Sequence, residues 1–271
     1  MLHSMRLIKR TAMALEFRSV TKSFGDPDDA TKLTALSDVS LKTGEGEFLA
    51  VVGPSGCGKS TLLNMAAGLY QPTKGEVFVS DIKVTRPNSH VGFMLQKDLL
   101  LPWRTIKHNV AFGLESRGFS KTECHEIAKA RLAECHLHGF EDYYPYQLSG
   151  GMRQRAALAR TLAIEPDVIL LDEPFSALDA QTKIIIQKNF AETILEENIT
   201  TLLITHDLAE AAFMADRILV MSERPGKIVK EIVIDLPDRG NPTARRQNPK
   251  ITQYINQMFE ILKLQDQQVL T

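Results

Sequence analysis

Five short apolar runs constrain the fold of this 271-residue chain more than any other feature. They are rich in Val, Ile and Leu, and polar residues do not alternate with apolar ones inside them. Such runs are typical of strands that are covered on both faces in a parallel sheet. Helical patterns separate several of them, which predicts an α/β architecture. The runs span residues 48–52, 91–95, 168–172, 201–205 and 217–221.

Other parts of the chain depart from this alternation. Residues 14–47 and 75–80 contain short segments with Gly-rich turns, which predict antiparallel strands flanking the main sheet. Residues 98–148 contain helical patterns and no convincing strand. Because this block interrupts the α/β pattern, we predict an inserted helical subdomain at about 97–155.

The two ends of the chain differ from its middle. We assign residues 14–240 to one domain that contains the helical subdomain. Residues 1–13 are basic and lack acids, which we interpret as an N-terminal extension, with a transit peptide as the alternative. Residues 241–271 include an amphipathic pattern and predict a helical tail. This tail either regulates the domain or covers its core.

Composition excludes several classes of protein. The formal net charge of -1 provides no basic field, so we expect no nucleic-acid partner. No apolar run approaches the roughly 18 residues that a membrane span requires, so we expect the chain at most to dock on a membrane protein. The 3 cysteines are too few and too scattered for a disulfide scaffold, which indicates a reducing compartment.

A glycine-rich loop follows the first apolar run and matches G-x-x-x-x-G-K-[ST] at every fixed position. Its backbone N–H groups and the positive end of the following helix form a cradle for phosphate groups. We predict that Lys59 reaches the β- and γ-phosphates of a nucleotide and that the Ser60 hydroxyl binds Mg²⁺. The predicted nucleotide-binding residues of the loop are Gly53, Pro54, Ser55, Gly56, Cys57, Gly58, Lys59, Ser60 and Thr61.

Two carboxylates, Asp172 and Glu173, follow the run at 168–172 within "VILLDEP". In phosphoryl-transfer proteins that contain such a loop, an acid at a strand end holds Mg²⁺. Asp172 is the predicted metal ligand. Glu173 is the predicted catalytic residue that polarises the attacking water.

A second glycine turn, formed by Ser149, Gly150 and Gly151, precedes a strong helical pattern. Ser149 is suited to cap the helix, and the glycines expose backbone N–H groups to an anion. One nucleotide does not usually require two phosphate sites in one chain, so this turn needs a separate explanation.

The order of these motifs provides that explanation. The stretch "LSGG" followed by "RQR" resembles the signature of ABC-type ATPases. It lies between "LLDEP" and the glycine-rich loop at 53–60, which we also call the phosphate loop. The resemblance extends over about residues 14–235. Further residues match family elements: the adenine-stacking aromatic Phe24, the loop glutamine Gln96, the D-loop Asp179 and the switch histidine His206.

The resemblance implies a P-loop NTPase fold, with a RecA-like parallel sheet, an antiparallel β subdomain and an inserted helical subdomain. It also implies a head-to-tail homodimer that binds ATP and Mg²⁺. Each ATP would lie between residues 53–60 of one subunit and residues 149–151 of the other. His206 would contact the γ-phosphate in cis, and Gln96 would sense Mg²⁺ and the water. Met152 departs from the family, because many members have Gln there.

Three roles compete for such an ATPase. A DNA-repair or chromosome ATPase would require a long coiled-coil insertion, and a tandem-cassette translation factor would require a second phosphate loop; the sequence contains neither. A single cassette resembles the separate energy subunit of bacterial importers, at the cytoplasmic face of the inner membrane. An integral-membrane permease would dock near Gln96–Arg104 and the helical subdomain, and a solute-binding protein would take part indirectly. Alternatively, Leu99–Trp103 is simply part of the helical core.

Three further stretches of sequence indicate one subgroup of importers. "LPWRT", "LSGGMRQR" and "RPGKIVKEIVIDLP" resemble the nitrate, sulfonate and taurine importer group. The alternative is an ABC-type ATPase of another membrane complex, such as an exporter or a lipid transporter, or a soluble ATPase outside transport. The transported solute would be selected by the permease and the binding protein rather than by this chain.

Overall fold

The computed structural model describes residues 13–25 and 32–269, and the predicted N-terminal extension lies outside them except for Met13. The described residues form ten strands and eight α-helices. The strands are β1 (Leu15–Phe24), β2 (Leu33–Thr43), β3 (Phe48–Val52), β4 (Lys74–Val79), β5 (Ile82–Lys83), β6 (Val91–Met94), β7 (Val168–Asp172), β8 (Thr200–Ile204), β9 (Arg217–Met221) and β10 (Ile228–Val233). The helices are α1 (Lys59–Ala66), α2 (Ile106–Glu115), α3 (Lys121–Glu134), α4 (Gly150–Ala163), α5 (Ala180–Glu196), α6 (Leu208–Met214), α7 (Pro242–Arg246) and α8 (Ile251–Val269).

The larger sheet has the strand order β10-β9-β3-β8-β7-β6. Its strands are parallel except for β10, which runs antiparallel to β9. All five apolar runs form strands of this sheet, and their observed ends differ from the predicted ones by one residue at most. Because β6, β7 and β8 are parallel neighbours, the residues that follow them meet at one edge of the sheet.

The smaller sheet is antiparallel and has the order β2-β1-β4-β5. It confirms the antiparallel strands predicted around residues 14–47 and 75–80. Helix α1 buries Leu62, Leu63 and Met65 in an apolar cluster to which both sheets contribute side chains, including Phe17 of β1 and Leu49 of β3. This packing fixes the start of α1 relative to the end of β3, which is where the glycine-rich loop lies.

Helices α2, α3 and α4 lie between β6 and β7 in the chain and form the inserted helical subdomain. Thr105, Ser120 and Ser149 cap their N-termini, each accepting a hydrogen bond from a backbone N–H of the first turn. Ser120 and Glu123 form a reciprocal capping box at the start of α3. Helix α4 continues to Ala163, beyond the approximate predicted boundary of 155.

The C-terminal segment packs on the main core. Helix α8 contributes the fully buried Met258, and the cluster that contains Met258 also includes Phe213 and Met214 of α6. In α7, the buried Arg245 donates from Nη1 to the Ala215 carbonyl at 2.9 Å and from Nε to the Pro237 carbonyl at 2.9 Å. The segment therefore covers the core, which is one of the two roles that the sequence left open.

Within residues 13–25 and 32–269, no helix has the length and apolar content that crossing a bilayer requires.

Candidate active site

The glycine-rich loop connects the end of β3 to the start of α1. Gly56 and Gly58 have φ values of 76° and 107°, which favour glycine. A Cβ on Gly58 would also lie 2.8 Å from the Ala35 carbonyl oxygen, so this position has no room for a side chain. Helix α1 begins after Gly58 without a side-chain cap, which leaves its first N–H groups available to an anion.

Lys59 folds back into this loop. Its buried Nζ donates to the carbonyl oxygens of Gly53 and Pro54, both at 2.7 Å. The ammonium therefore lies on the inner side of the loop, supported by backbone acceptors. An incoming phosphate would meet this charge together with the N–H groups at the start of α1.

The carboxylate pair lies at the end of β7. Burial raises the pKa of the Asp172 carboxyl above its ordinary value, while a hydrogen bond with Ser60 acts in the opposite direction. The negative charge of Glu173 also raises this pKa, and the positive charge of Lys59 lowers it. A hydroxyl beside a buried carboxylate is a set of hard oxygen ligands that suits Mg²⁺.

Glu173 adopts a backbone conformation that is unusual for a residue other than glycine, with φ at 50°. Its N–H donates to the Ile204 carbonyl of the neighbouring strand β8 at 2.9 Å. This hydrogen bond anchors the backbone of Glu173 to β8 at the point where β7 ends.

Three predicted catalytic side chains meet at this edge of the sheet. The Gln96 Nε2 donates to Glu173 Oε2 at 3.2 Å, across 77 residues of sequence. The His206 Nδ1 lies 3.0 Å from Glu173 Oε1. Gln96 follows β6, Glu173 follows β7 and His206 follows β8, so the strand order brings the three residues together.

Polar contacts around His206 hold its segment in place. The N–H of Asp207 donates to the Thr205 hydroxyl at 3.0 Å, and the Asp207 carboxylate caps α6 by accepting from the Glu210 N–H at 3.1 Å. Lys183 of α5 donates to Asp207 at 2.9 Å and pairs with Glu210 at 2.9 Å. A cavity of about 130 Å³ lies between these residues, His206 and Glu173. The sequence did not single out Lys183, because its contacts arise only from packing.

The predicted adenine-stacking residue, Phe24, lies at the end of β1 and is partly exposed. Its ring makes an edge contact with Tyr70 at 5.5 Å between centroids, and the Lys22 Nζ lies 5.0 Å from its centroid. Tyr70 was missed by the sequence analysis. The region therefore presents two aromatic rings rather than one.

The second glycine turn lies at the start of α4. The Ser149 hydroxyl accepts from the Met152 N–H at 3.3 Å, and a Cβ on Gly151 would lie 3.3 Å from Leu178 Cδ2. Asp179, next to Leu178, caps α5 by accepting from the Thr182 N–H at 3.0 Å. The turn and the segment that contains Asp179 therefore lie side by side. Met152 packs against the main hydrophobic core.

The segment after Gln96 is held on α4 by Arg153, the first residue of the "RQR" stretch, and by Arg160, through contacts that the sequence did not predict. The Arg153 Nε donates to Asp98 Oδ2 at 3.0 Å, and Arg160 donates to the backbone carbonyls of Asp98 at 2.7 Å and Leu99 at 2.8 Å. Leu99 and Trp103 are 54% and 72% exposed, whereas Leu100 between them is buried in the core. Leu100 is therefore part of the core, whereas Leu99 and Trp103 are not.

Comparisons with known proteins agree with this arrangement. A family model described as ABC transporter matches residues 36–176. An uncharacterized ABC transporter ATP-binding protein of Methanocaldococcus jannaschii is 43% identical over 254 residues, covering 94% of this chain and 93% of that protein. A nitrate import ATP-binding protein, NrtD of Synechocystis sp., is 41% identical over 236 residues, covering 85% of this chain and 89% of that protein.

Two further comparisons concern transport and dimerisation. A taurine import ATP-binding protein, TauB of Yersinia pestis, is 43% identical over 205 residues, covering 76% of this chain and 80% of that protein. A solved dimeric ATP-binding cassette in a post-hydrolysis state, bound to ADP and Pi, matches with a TM-score of 0.74 and 33% identity. The match covers 82% of this chain and 99% of that one.

These findings confirm the α/β P-loop NTPase fold that the sequence predicted. They also confirm the resemblance to the importer group that includes nitrate and taurine systems. Taken with the glycine-rich loop and the strand-end carboxylates, they establish the chain as an ATPase. The chain belongs to the ABC transporter family, in which it is an ATP-binding subunit.

Proposed function

We propose that this chain energises an ABC importer for a small anion or organic solute, such as nitrate, sulfonate or taurine. The observation that carries this proposal is the identity of 41% and 43% to nitrate and taurine import proteins over most of the chain. In the same proposal, residues 14–240 are the ATPase domain and residues 241–271 are a helical tail.

The site suits Mg²⁺ together with ATP. Ser60, Asp172 and Gln96 are the residues we assign to the metal, since they supply a hydroxyl, a carboxylate and an amide oxygen. When bound, Mg²⁺ neutralises charge on the phosphate oxygens. The buried carboxylate of Asp172, whose pKa burial raises, gains a cationic partner in this arrangement.

Catalysis in this proposal consists of positioning and charge compensation. The loop 53–60, which includes Lys59, and Thr61 in the first turn of α1 bind the phosphate chain. Glu173 orients and polarises the attacking water. His206 contacts the γ-phosphate. Gln96 would help to hold the metal, and its Nε2 donates to Glu173 Oε2 at 3.2 Å. Phe24 stacks on the adenine.

A second copy of the chain completes the site in this proposal. Ser149, Gly150 and Gly151 of that copy bind the γ-phosphate, with Asp179 close to the same junction. The side-by-side arrangement of the turn and the Asp179 segment supports this role. The dimeric state of the matched cassette structures supports it further.

The membrane partner in this proposal is a permease that docks on Gln96–Arg104 and the helical subdomain. Leu99 and Trp103 offer an exposed apolar surface that begins three residues after the catalytic Gln96. Arg153 and Arg160 tie the same segment to α4, whose N-terminus carries the second glycine turn. Movement of the permease would therefore displace both Gln96 and the glycine turn at 149–151, which belong to the two halves of the nucleotide site. The subunit is peripheral, on the cytoplasmic face of the membrane.

An uptake assay tests the importer role. We expect that removal of the gene from its native cell abolishes uptake of labelled nitrate, taurine or an alkanesulfonate, and that the wild-type gene restores it. Trp103→Ala should lower uptake and membrane association while leaving the ATPase rate of the isolated subunit unchanged. Phe259→Ala, which alters an exposed aromatic residue on α8, is the matched control. Unaltered uptake of all three solutes in the deletion strain would reject this substrate group.

A further inference from the structure

The loop between β9 and β10, residues 222–227, lies directly against the outer side of the phosphate loop. The Gly226 N–H donates to the Ala35 carbonyl at 2.9 Å, and the Gly226 carbonyl accepts from the Ser37 N–H at 3.0 Å. A Cβ on Gly226 would lie 2.0 Å from the Cys57 carbonyl oxygen. The two backbones therefore touch with no side chain between them, and Gly226 is required for this approach.

Arg224 of the same loop reaches the backbone of the phosphate loop. Its Nε and Nη2 both donate to the Gly56 carbonyl, at 3.0 Å and 2.8 Å. A paired contact from a charged guanidinium is stronger than a neutral hydrogen bond and fixes the direction of its acceptor. Arg224 therefore holds one carbonyl of the phosphate loop from outside.

Anchoring this carbonyl also sets the direction of the next N–H. In a trans peptide, the C=O of Gly56 and the N–H of Cys57 point in opposite directions. The Cys57 N–H is directed to the Pro54 carbonyl at 3.4 Å, and the Lys59 Nζ donates to that same carbonyl at 2.7 Å. The N–H thus faces the inner side of the loop, where Lys59 lies, while the carbonyl faces Arg224.

The phosphate loop needs such a restraint because its glycines are conformationally free. Gly56 has φ at 76°, and rotation of the peptide that follows it would turn a carbonyl oxygen toward the phosphates in place of an N–H. That oxygen carries a partial negative charge, so the rotated loop would repel the ligand that the loop is meant to bind.

We infer that Arg224 is a positioning residue that holds the Gly56 carbonyl outward and so keeps the phosphate loop in the conformation that accepts an anion. This role rests on the proposed assignment of residues 53–60 to the nucleotide phosphates. Arg224 acts through the backbone of the loop and does not itself touch the ligand.

Binding of Mg-ADP to the isolated subunit tests this inference, because ADP lacks the γ-phosphate assigned to the second subunit. We expect Arg224→Met, which keeps the length of the side chain without its donors, to raise the Kd for Mg-ADP about tenfold. The KM for ATP should rise by a similar factor, with kcat at saturating ATP within about twofold of wild type. Arg224→Lys should give intermediate affinity, because an ammonium keeps the charge without the paired donors.

The control is Lys227→Ala, which removes a positive charge from the same loop; its Mg-ADP affinity should stay within about twofold of wild type. An equal loss of affinity in Lys227→Ala and Arg224→Met would assign the effect to net charge and overturn the inference. The inference would also be overturned if Arg224→Met bound Mg-ADP with wild-type affinity and Lys59→Ala did not bind it. Retained binding in Lys59→Ala would instead reject the assignment of the loop. If Arg224→Met melts at a temperature well below that of wild type, the Mg-ADP affinity of Arg224→Lys is the deciding measurement. Wild-type affinity in Arg224→Lys would then overturn the inference, because a paired contact would not be needed.

Discussion

Replacement of Glu173 by glutamine is the most direct test of the catalytic role proposed for Gln96, Glu173 and His206. The substitution keeps the size of the side chain and removes its charge. Glu173 contacts Gln96 at 3.2 Å and His206 at 3.0 Å, and no hydrogen bond within the described residues joins its side chain to the phosphate loop. We therefore expect Glu173→Gln to retain affinity for Mg-ATP and to lose most of its turnover.

The size of the effect follows from the role assigned to the carboxylate. A residue that polarises the attacking water contributes about 10²–10⁴-fold to the rate. At about 1.4 kcal/mol per factor of ten, this corresponds to a rise of about 3–6 kcal/mol in the activation barrier. Slow hydrolysis should also prolong the ATP-bound state, in which we expect two copies to associate.

Phosphate release under saturating Mg-ATP measures the rate, and light scattering measures the assembly. The monomer has a mass of 30.3 kDa, so an ATP-dependent species of twice that mass identifies the dimer. Glu196→Gln, an exposed carboxylate at the end of α5, serves as the control and should behave as wild type. Turnover of Glu173→Gln within about fivefold of wild type would refute the assigned role. A variant that stays monomeric with ATP would count against the two-subunit site.

Two further predictions concern stability. Met258→Ala should lower the free energy of unfolding in urea by about 2–5 kcal/mol because Met258 is 0% exposed, whereas Phe259→Ala, at a 55% exposed position, should change it little; equal effects would contradict the packing of α8. Hydrogen bonds with Arg18 and Lys42 lower the pKa of Glu16 from 4.5 to about 2. The stabilisation is therefore present above pH 4.5 and is lost as the pH falls toward 2, so Glu16→Gln should flatten the acid limb of the pH–stability curve. An unchanged acid limb would contradict this pairing.

Much of the fold was predictable because its signals are local. A buried parallel strand requires apolar side chains on both faces, so the run at 48–52 indicated β3 without knowledge of its neighbours. The cap at Ser149 depends only on the three residues that follow it. The end of the helical subdomain was predicted less closely, because α4 begins inside the predicted range and extends past its end at 155 to Ala163.

The sequence predicted the candidate site residues, but it did not predict the side chains that contact and hold them. Glu173 and His206 each follow an apolar run, which placed them at strand ends. The contacts of Lys183 with Asp207 and Glu210 join α5 to α6, and the contact of Tyr70 with Phe24 joins the turn after α1 to β1. These pairs leave no periodic pattern in the sequence, because they depend on how separate elements pack.

The sequence by itself predicted an anion site in the loop at 53–60, since closely spaced glycines, a lysine and a helix start form a cradle for an anion. Tertiary structure alone decided what surrounds that cradle. The strand order of the sheet brought Gln96 to Glu173 across 77 residues, and the β9–β10 loop brought Arg224 to Gly56 across 168 residues. Neighbouring residues set backbone conformation over a few positions, whereas contacts over such separations exist only after two sheets and their helices have packed on common cores.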